Sequence, residues 1–217
     1  MAIQFTAYRW VPPFAQGYVR DLRIRWALEE AALPYEVVLI DRGSEAYRQW
    51  QPFGQVPAYR DDEVEMFESG AIVLHLAAKS LALAPADVPG RARVSTWIFA
   101  ALNSIEPHAQ TLVNLDTFYA GQDWTEGRRP SARALLERRL EALESALGDK
   151  AYLEGRFTAA DIVMATVLRE LEACEILKAY PGLDAYRARA LGRPAFTKAL
   201  EDQLTTFREN EPKGSSR

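Results

Sequence analysis

The sequence predicts an α/β domain of order β-α-β-α-β-β-α followed by an all-helical bundle domain, and three features carry that expectation. The run from Ile3 to Tyr8 and the stretch "LPYEVVLI" are short, apolar and β-type, with a helical run between them, which is the signature of a βαβ unit. The segment "LALAPADVPGR" then gathers two prolines and a glycine without periodicity. After it, apolar residues recur only at helical spacing.

Each element follows from its own pattern. Val19, Leu22, Trp26 and Leu28 repeat at helical spacing through Ala32, and the flanking strands should be parallel with a right-handed crossover. A short helical piece is expected near Ser44 to Trp50. "VPAYRDDEVEMF" reads as two brief strands around the acidic turn from Arg60 to Glu63, and "ESGAIVLHLAAKS" as the closing helix. These readings place a first domain at 1–82, a linker at 83–91, a helical domain at 92–207 and a flexible tail at 208–217, the last from the composition of "RENEPKGSSR". Within the helical domain, Val94, Ile98, Ala101 and Ile105 share a face up to a break at Pro107. Ala132, Leu136, Leu140, Leu143 and Leu147 form a second stripe, so two long antiparallel helices are expected. The segment Ala159 to Leu171 is apolar nearly all round and should be the buried central helix. Thr158, three residues before Asp161, marks its start as a capping box.

Composition excludes several classes of function. With 26 basic and 30 acidic residues and a net charge of -4, the chain lacks the basic footprint of a nucleic-acid binder. No apolar stretch approaches the roughly 20 residues that span a bilayer. The start "MAIQFTAYRW" has no secretory pattern, and a cytoplasmic location without membrane partners is expected. A single cysteine, Cys174, rules out an intrachain disulfide or a C-x-x-C pair. Neither His75 nor His108 has a metal-ligand partner at i+3 or i+4, so no metal is expected.

Three motifs in order, "GQVPAY" entering the third strand, "ESGAIVLHLA" opening the last helix of the first domain, and "GRFTAADIVMATVL" in the helical domain, resemble those of the cytosolic glutathione S-transferase family. The resemblance runs from about Ile3 to Phe207 and implies a thioredoxin-like first domain, glutathione as co-substrate, and a two-fold homodimer. It implies a cis bond between Val56 and Pro57, which turns the Val56 backbone outward to pair with the cysteine portion of glutathione as an added strand. The expected proline site is the start of an edge strand, where Pro57 would otherwise only protect that edge. Glu68 and Ser69 stand where a strand turns into a helix. There the helix amides and the Ser69 hydroxyl can take the γ-glutamyl carboxylate while Glu68 meets the ammonium; the plainer role for the pair is an ordinary N-cap. Gln55 matches the position that reaches the glycyl end, with Trp50 a weaker neighbour.

The loop "YRWVPPFAQGYVRD" is where the resemblance departs from the family pattern. Relatives place a Tyr, Ser or Cys against the glutathione sulfur, where it stabilises the thiolate. Here no Ser or Cys stands at either matching place. Tyr8 at the strand end and Arg20 at the helix start remain as catalytic candidates of equal weight, with Tyr18 a third possibility. Tyr8 reads equally as a core ring and Arg20 as a solvated helix residue. Trp10 and Phe14, with Trp97 and Phe99 from the second domain, are expected to wall a pocket for a small hydrophobic electrophile, or else to be interdomain packing. The reading is a glutathione transferase; its alternative is a catalytically silent binding or regulatory member. A peroxidase or disulfide reductase would need cysteine chemistry that the chain lacks.

Overall fold

Alternation of inward Phe5 and Ala7 with Gln4 and Tyr8 makes the first run a strand, and in the computed structural model, which describes residues 2–212, it is the centre of the sheet. Strand β1 (Ile3–Tyr8) lies between β2 (Tyr35–Ile40) and β3 (Ala58–Arg60), and β4 (Glu65–Phe67) closes the order β2-β1-β3-β4. β1 and β2 run parallel from Ile3↔Tyr35 to Tyr8↔Ile40, as the βαβ reading requires. β1–β3 and β3–β4 are antiparallel, with Phe5↔Tyr59 and Ala58↔Phe67 in register. Helix α1 (Asp21–Ala31) crosses between the parallel strands and is buried from Asp21 through Leu28. Helix α2 (Ser69–Lys79) buries Ile72, Val73 and Leu76. The helix expected near Ser44 to Trp50 is only a 3₁₀ turn, Ala46–Gln49, with Tyr47 as its buried residue.

The chain divides into two compact units, one running through Leu83 and resuming at Arg193, the other Ala84–Gly192. This differs from the expected helical domain at 92–207, because the last helix, α8 (Pro194–Glu209), belongs to the first unit. The physical reason is its apolar face: Phe196 meets Trp26 of α1 at 4.8 Å between ring centroids, Ala199 and Phe207 are buried, and Arg193 forks onto Glu30 at 2.6 and 2.7 Å. The expected tail at 208–217 is therefore still helical at Arg208 and Glu209, and residues 213–217 lie outside the described residues. The expected linker at 83–91 is likewise helical from Val88.

In the second unit, α3 (Val88–Ala100) passes through a π-helical stretch, Ala101–Ile105, into α4 (Glu106–Asp116). The break expected at Pro107 is thus a change of hydrogen-bond register rather than a chain turn: Pro107 has no N–H to give, and just before it the Glu106 amide bonds to Ala101, five residues back. Helix α5 (Thr125–Leu147) buries the expected stripe Ala132, Leu136, Leu140, Leu143 and Leu147. Helix α6 (Ala159–Arg169) is buried from Ala159 through Leu168, and α7 (Pro181–Leu191) packs on it. The capping box at its start is formed: Ala160 N–H donates to Thr158 Oγ1 at 3.3 Å, and Thr158 N–H to Asp161 Oδ2 at 2.8 Å. Asp161 also accepts from the Leu153 amide and the Tyr186 hydroxyl, tying the preceding loop and α7 to that cap.

Candidate functional site

The loop before β3 is fastened from several sides. Thr6 Oγ1 accepts from the Ala58 amide at 2.8 Å and lies 2.7 Å from the Tyr47 hydroxyl, whose proton goes to the Gln55 carbonyl at 2.8 Å. Gln51, almost wholly buried, accepts the Gln55 amide on Oε1 at 3.0 Å, and the Tyr8 hydroxyl donates to the Gly54 carbonyl at 3.0 Å. Gly54 has φ +66°, a turn that a β-carbon would strain. The Val56–Pro57 bond that follows is cis. β3 is an inner strand, not the edge strand expected, and Pro57 stands just ahead of it, where the ladder asks for no donor. The registers begin at Ala58, so the Val56 backbone lies outside them.

A second wall comes from the β4–α2 junction. Glu68 is the N-cap of α2 with φ 73°, a left-handed conformation that costs a non-glycine residue about 1–3 kcal/mol and is kept where function or packing fixes it. Its carbonyl accepts the Ile72 amide at 2.9 Å while its side chain is exposed. Ser69 is buried, and Arg23, itself buried on α1, donates Nη1 to Ser69 Oγ at 3.3 Å.

The third wall is the start of α1. Gly17 turns the chain at φ 82°, and Arg20 becomes the N-cap of the helix. Arg20, Gln55, Val56, Pro57, Glu68 and Ser69 line one shallow recess, together with Gln51. Six expected site residues from three separate segments are thus brought together. A guanidinium, two amides, a hydroxyl, a carboxylate and a helix N-terminus in one recess suit an extended ligand that carries both ammonium and carboxylate groups.

Tyr8 is outside that lining. Half-buried burial pushes its hydroxyl pKa up, against a smaller lowering by Arg42, and its proton is engaged with Gly54. Its ring packs with Val19, Ile40 and Trp50 on the buried cluster of Tyr47, Val56 and Ala58. Trp50 additionally stacks under Arg60, whose Cζ is 4.6 Å from the ring centroid. Tyr18 is partly exposed. Of the four expected pocket rings, Phe14 (62%) and Phe99 (55%) are exposed, each within its own unit. Trp97 donates Nε1 to Glu154 at 3.1 Å within the helical unit, whereas the buried Trp10 Nε1 has no hydrogen-bond partner among the described residues.

Gln51 and Arg23 were not among the residues the sequence singled out. Neither carries a local motif: Arg23 is recognised through Ser69, remote in sequence, and Gln51 through Gln55 in a loop without periodicity. His75, set aside as a metal ligand on its spacing, also finds its partner far along the chain. It lies 2.8 Å from Asp61, and one ligand atom each of Asp61, Glu63 and His75 falls within 4.8 Å of the others, a grouping that i+3 and i+4 spacing could not reveal. Lys79 supplies a cation at that point, 3.2 Å from Asp61 and 2.7 Å from Glu63.

Residues 21–81 match the glutathione S-transferase N-terminal domain and residues 122–189 the glutathione S-transferase C-terminal domain. A glutathione S-transferase of Hyoscyamus muticus is 30% identical over 199 residues, which covers 83% of this chain and 92% of the relative. A glutathione S-transferase of Escherichia coli O157:H7 is 28% identical, covering 80% and 89%. Among solved structures, a glutathione transferase from Burkholderia graminis with two glutathione molecules bound per subunit superposes with a TM-score of 0.79 at 25% identity, over 92% of this chain and 88% of that one. Matches in both domains, together with that identity across most of the chain, place it: the chain belongs to the glutathione S-transferase family.

Proposed function

We propose that the protein is a glutathione transferase whose recess in the first unit holds glutathione and whose Arg20 stabilises the bound thiolate. The observation that carries this reading is the convergence of Arg20 with Gln55, Val56, Pro57, Glu68 and Ser69 around one space. In the proposed pose the Val56 backbone pairs with the cysteinyl part of the tripeptide, Ser69 and the α2 amides take the γ-glutamyl carboxylate, Glu68 meets its ammonium, and Gln55 faces the glycyl end. Arg23 holds the Ser69 hydroxyl in place from α1. Arg20, the N-cap of α1, brings positive charge to the helix end whose amides are themselves donors, and both favour a thiolate over a thiol.

The thiol proton leaves to solvent, and the thiolate sulfur attacks an electrophilic carbon. A sulfur–carbon bond forms, and either a leaving group departs with its electron pair or the adduct takes up a proton. The electrophile is small and hydrophobic in this reading. Cys174 has no part in it: burial raises its thiol pKa, so it is a poor nucleophile. The enzyme is cytoplasmic and works as a two-fold homodimer, for which a light-scattering mass of two chains at micromolar concentration is expected.

Retention on immobilised glutathione and an absorbance assay for conjugation of several electrophiles test the proposal together. Retention with turnover supports it. Retention without turnover toward any electrophile would favour the silent binding module instead, a reading consistent with a site loop that has neither Ser nor Cys.

A further inference from the structure

Gln203, on α8, is almost wholly buried and spends both its amide protons on the start of α1. Nε2 donates to the Val19 carbonyl at 3.1 Å and to Asp21 Oδ1 at 2.7 Å. These are the residues on either side of Arg20. Asp21 is fully buried and is held in turn by Arg25 Nε at 2.9 Å, while the Val19 carbonyl also accepts the Leu22 amide at 3.0 Å. The Val19 side chain packs on the Val56 cluster. A single side chain thus ties the peptide before Arg20 and the carboxylate after it to a helix remote in sequence.

The arrangement is not what close packing alone would select. Gln203 Oε1 and Arg25 Nη2 are both buried without a hydrogen-bond partner among the described residues, an outcome that an apolar residue at 203 would partly avoid. We infer that Gln203 is a positioning residue for thiol activation: by bracketing Val19 and Asp21 it fixes where the N-cap, and with it Arg20, stands in the recess. The inference rests on the proposed role of Arg20 at the thiolate. It adds that α8 sets the efficiency of the site without touching glutathione.

The test is a spectrophotometric titration of glutathione bound to the full-length protein, read by thiolate absorbance, in the parent, Gln203→Met, Gln203→Glu, Arg20→Leu and the Arg20→Leu/Gln203→Met double variant. Gln203→Met keeps the length and loses the donor; Gln203→Glu keeps the shape but sets a carboxylate against Asp21. Each single Gln203 change is expected to raise the thiol pKa by half a unit or more, the Glu variant by more than the Met variant. In the Arg20→Leu background the Met change should add nothing, since it acts through Arg20. Amide exchange at Leu22 should quicken in both Gln203 variants. If Arg20→Leu raises the thiol pKa while both Gln203 variants titrate like the parent, the positioning inference is overturned and the role of Arg20 stands. If Arg20→Leu leaves the titration unchanged, the activation reading itself falls and takes the inference with it. A Gln203→Met shift that is additive with Arg20→Leu also overturns it, because the effect would then be a general loosening of the fold.

Discussion

Tyr8 and Arg20 entered with equal claims on the thiolate, and their surroundings separate them. The Tyr8 proton is bonded to the Gly54 carbonyl and its acidity is reduced by burial, so the hydroxyl is built to hold a loop rather than to lend a proton to sulfur. Tyr8→Phe should therefore cost about 0.5–1.5 kcal/mol of stability, the worth of one hydrogen bond, with the titration of bound glutathione unaltered. Arg20→Leu should raise the bound thiol pKa by a unit or more, at about 1.4 kcal/mol per unit. Thermal melts and thiolate absorbance on the two variants read these opposite outcomes, and a swapped pattern would return Tyr8 to the chemistry. Binding is a separate matter. Ser69→Ala and Glu68→Ala should each weaken glutathione by about 1–3 kcal/mol, the range for losing a partner of a charged group, with folding retained. Calorimetry that finds the parent affinity in both would remove the ligand from the α2 terminus. The Glu68 result has an added edge, since alanine carries the cost of a φ of 73° just as glutamate does.

At the scale of elements, the β3–β4 turn shows how a carboxylate organises a short hairpin. Asp61 accepts from the amides of Glu63 and Val64, from Tyr59 and from His75, and Lys79 stands beside it. Burial is the largest single influence and pushes its pKa up, yet the hydrogen bonds from His75, the Glu63 amide, Tyr59 and the Val64 amide together hold it well below the usual carboxylate range. A carboxylate with a depressed folded pKa stabilises the fold above its unfolded value, near 3.9, and that contribution is lost as pH falls through the folded value. Asp61→Asn is accordingly expected to melt below the parent at pH 7 by an amount worth about 1–3 kcal/mol, and the gap should narrow from about pH 4 downward. A gap that stays constant between pH 7 and pH 3 would mean the loss is one of shape, not of charge.

What the sequence made legible at this scale was whatever is local. The capping box of Thr158 and Asp161, the strand order around α1 and the stripe on α5 all depend on spacing along the chain. Gln51, Arg23, His75 and Gln203 matter through partners 4 to 184 positions away, and even the nearest pair, Gln51 with Gln55, is formed in a loop without helical or strand periodicity. The π-helical register at Ala101–Ile105 was hidden for a different reason: apolar spacing on one face is nearly the same for an α-helix that continues and one that widens by a residue.

For the molecule as a whole, the placement of α8 alters what a C-terminal truncation should do. If the last helix were part of a helical domain ending in a loose tail, removing it would leave the glutathione half untouched. Instead Phe196 and Phe207 are buried within the first unit, Arg193 pairs with Glu30, and Gln203 is bonded to Val19 and Asp21. Each of the two phenylalanines contributes about 1.5–3 kcal/mol by burial, and removing Gln203 leaves the Asp21–Arg25 pair short of a partner in the interior. Against a domain stability of about 5–15 kcal/mol, the loss is large enough to unfold the first unit or strip most of its stability. A chain ending at Gly192 should be recovered aggregated or should unfold in denaturant well below the parent, with tryptophan fluorescence already shifted toward that of an exposed indole in buffer. Coincident denaturation curves for the two lengths would show that α8 is dispensable to the first unit, and the dependence of Arg20 on Gln203 would lose its structural basis at the same stroke.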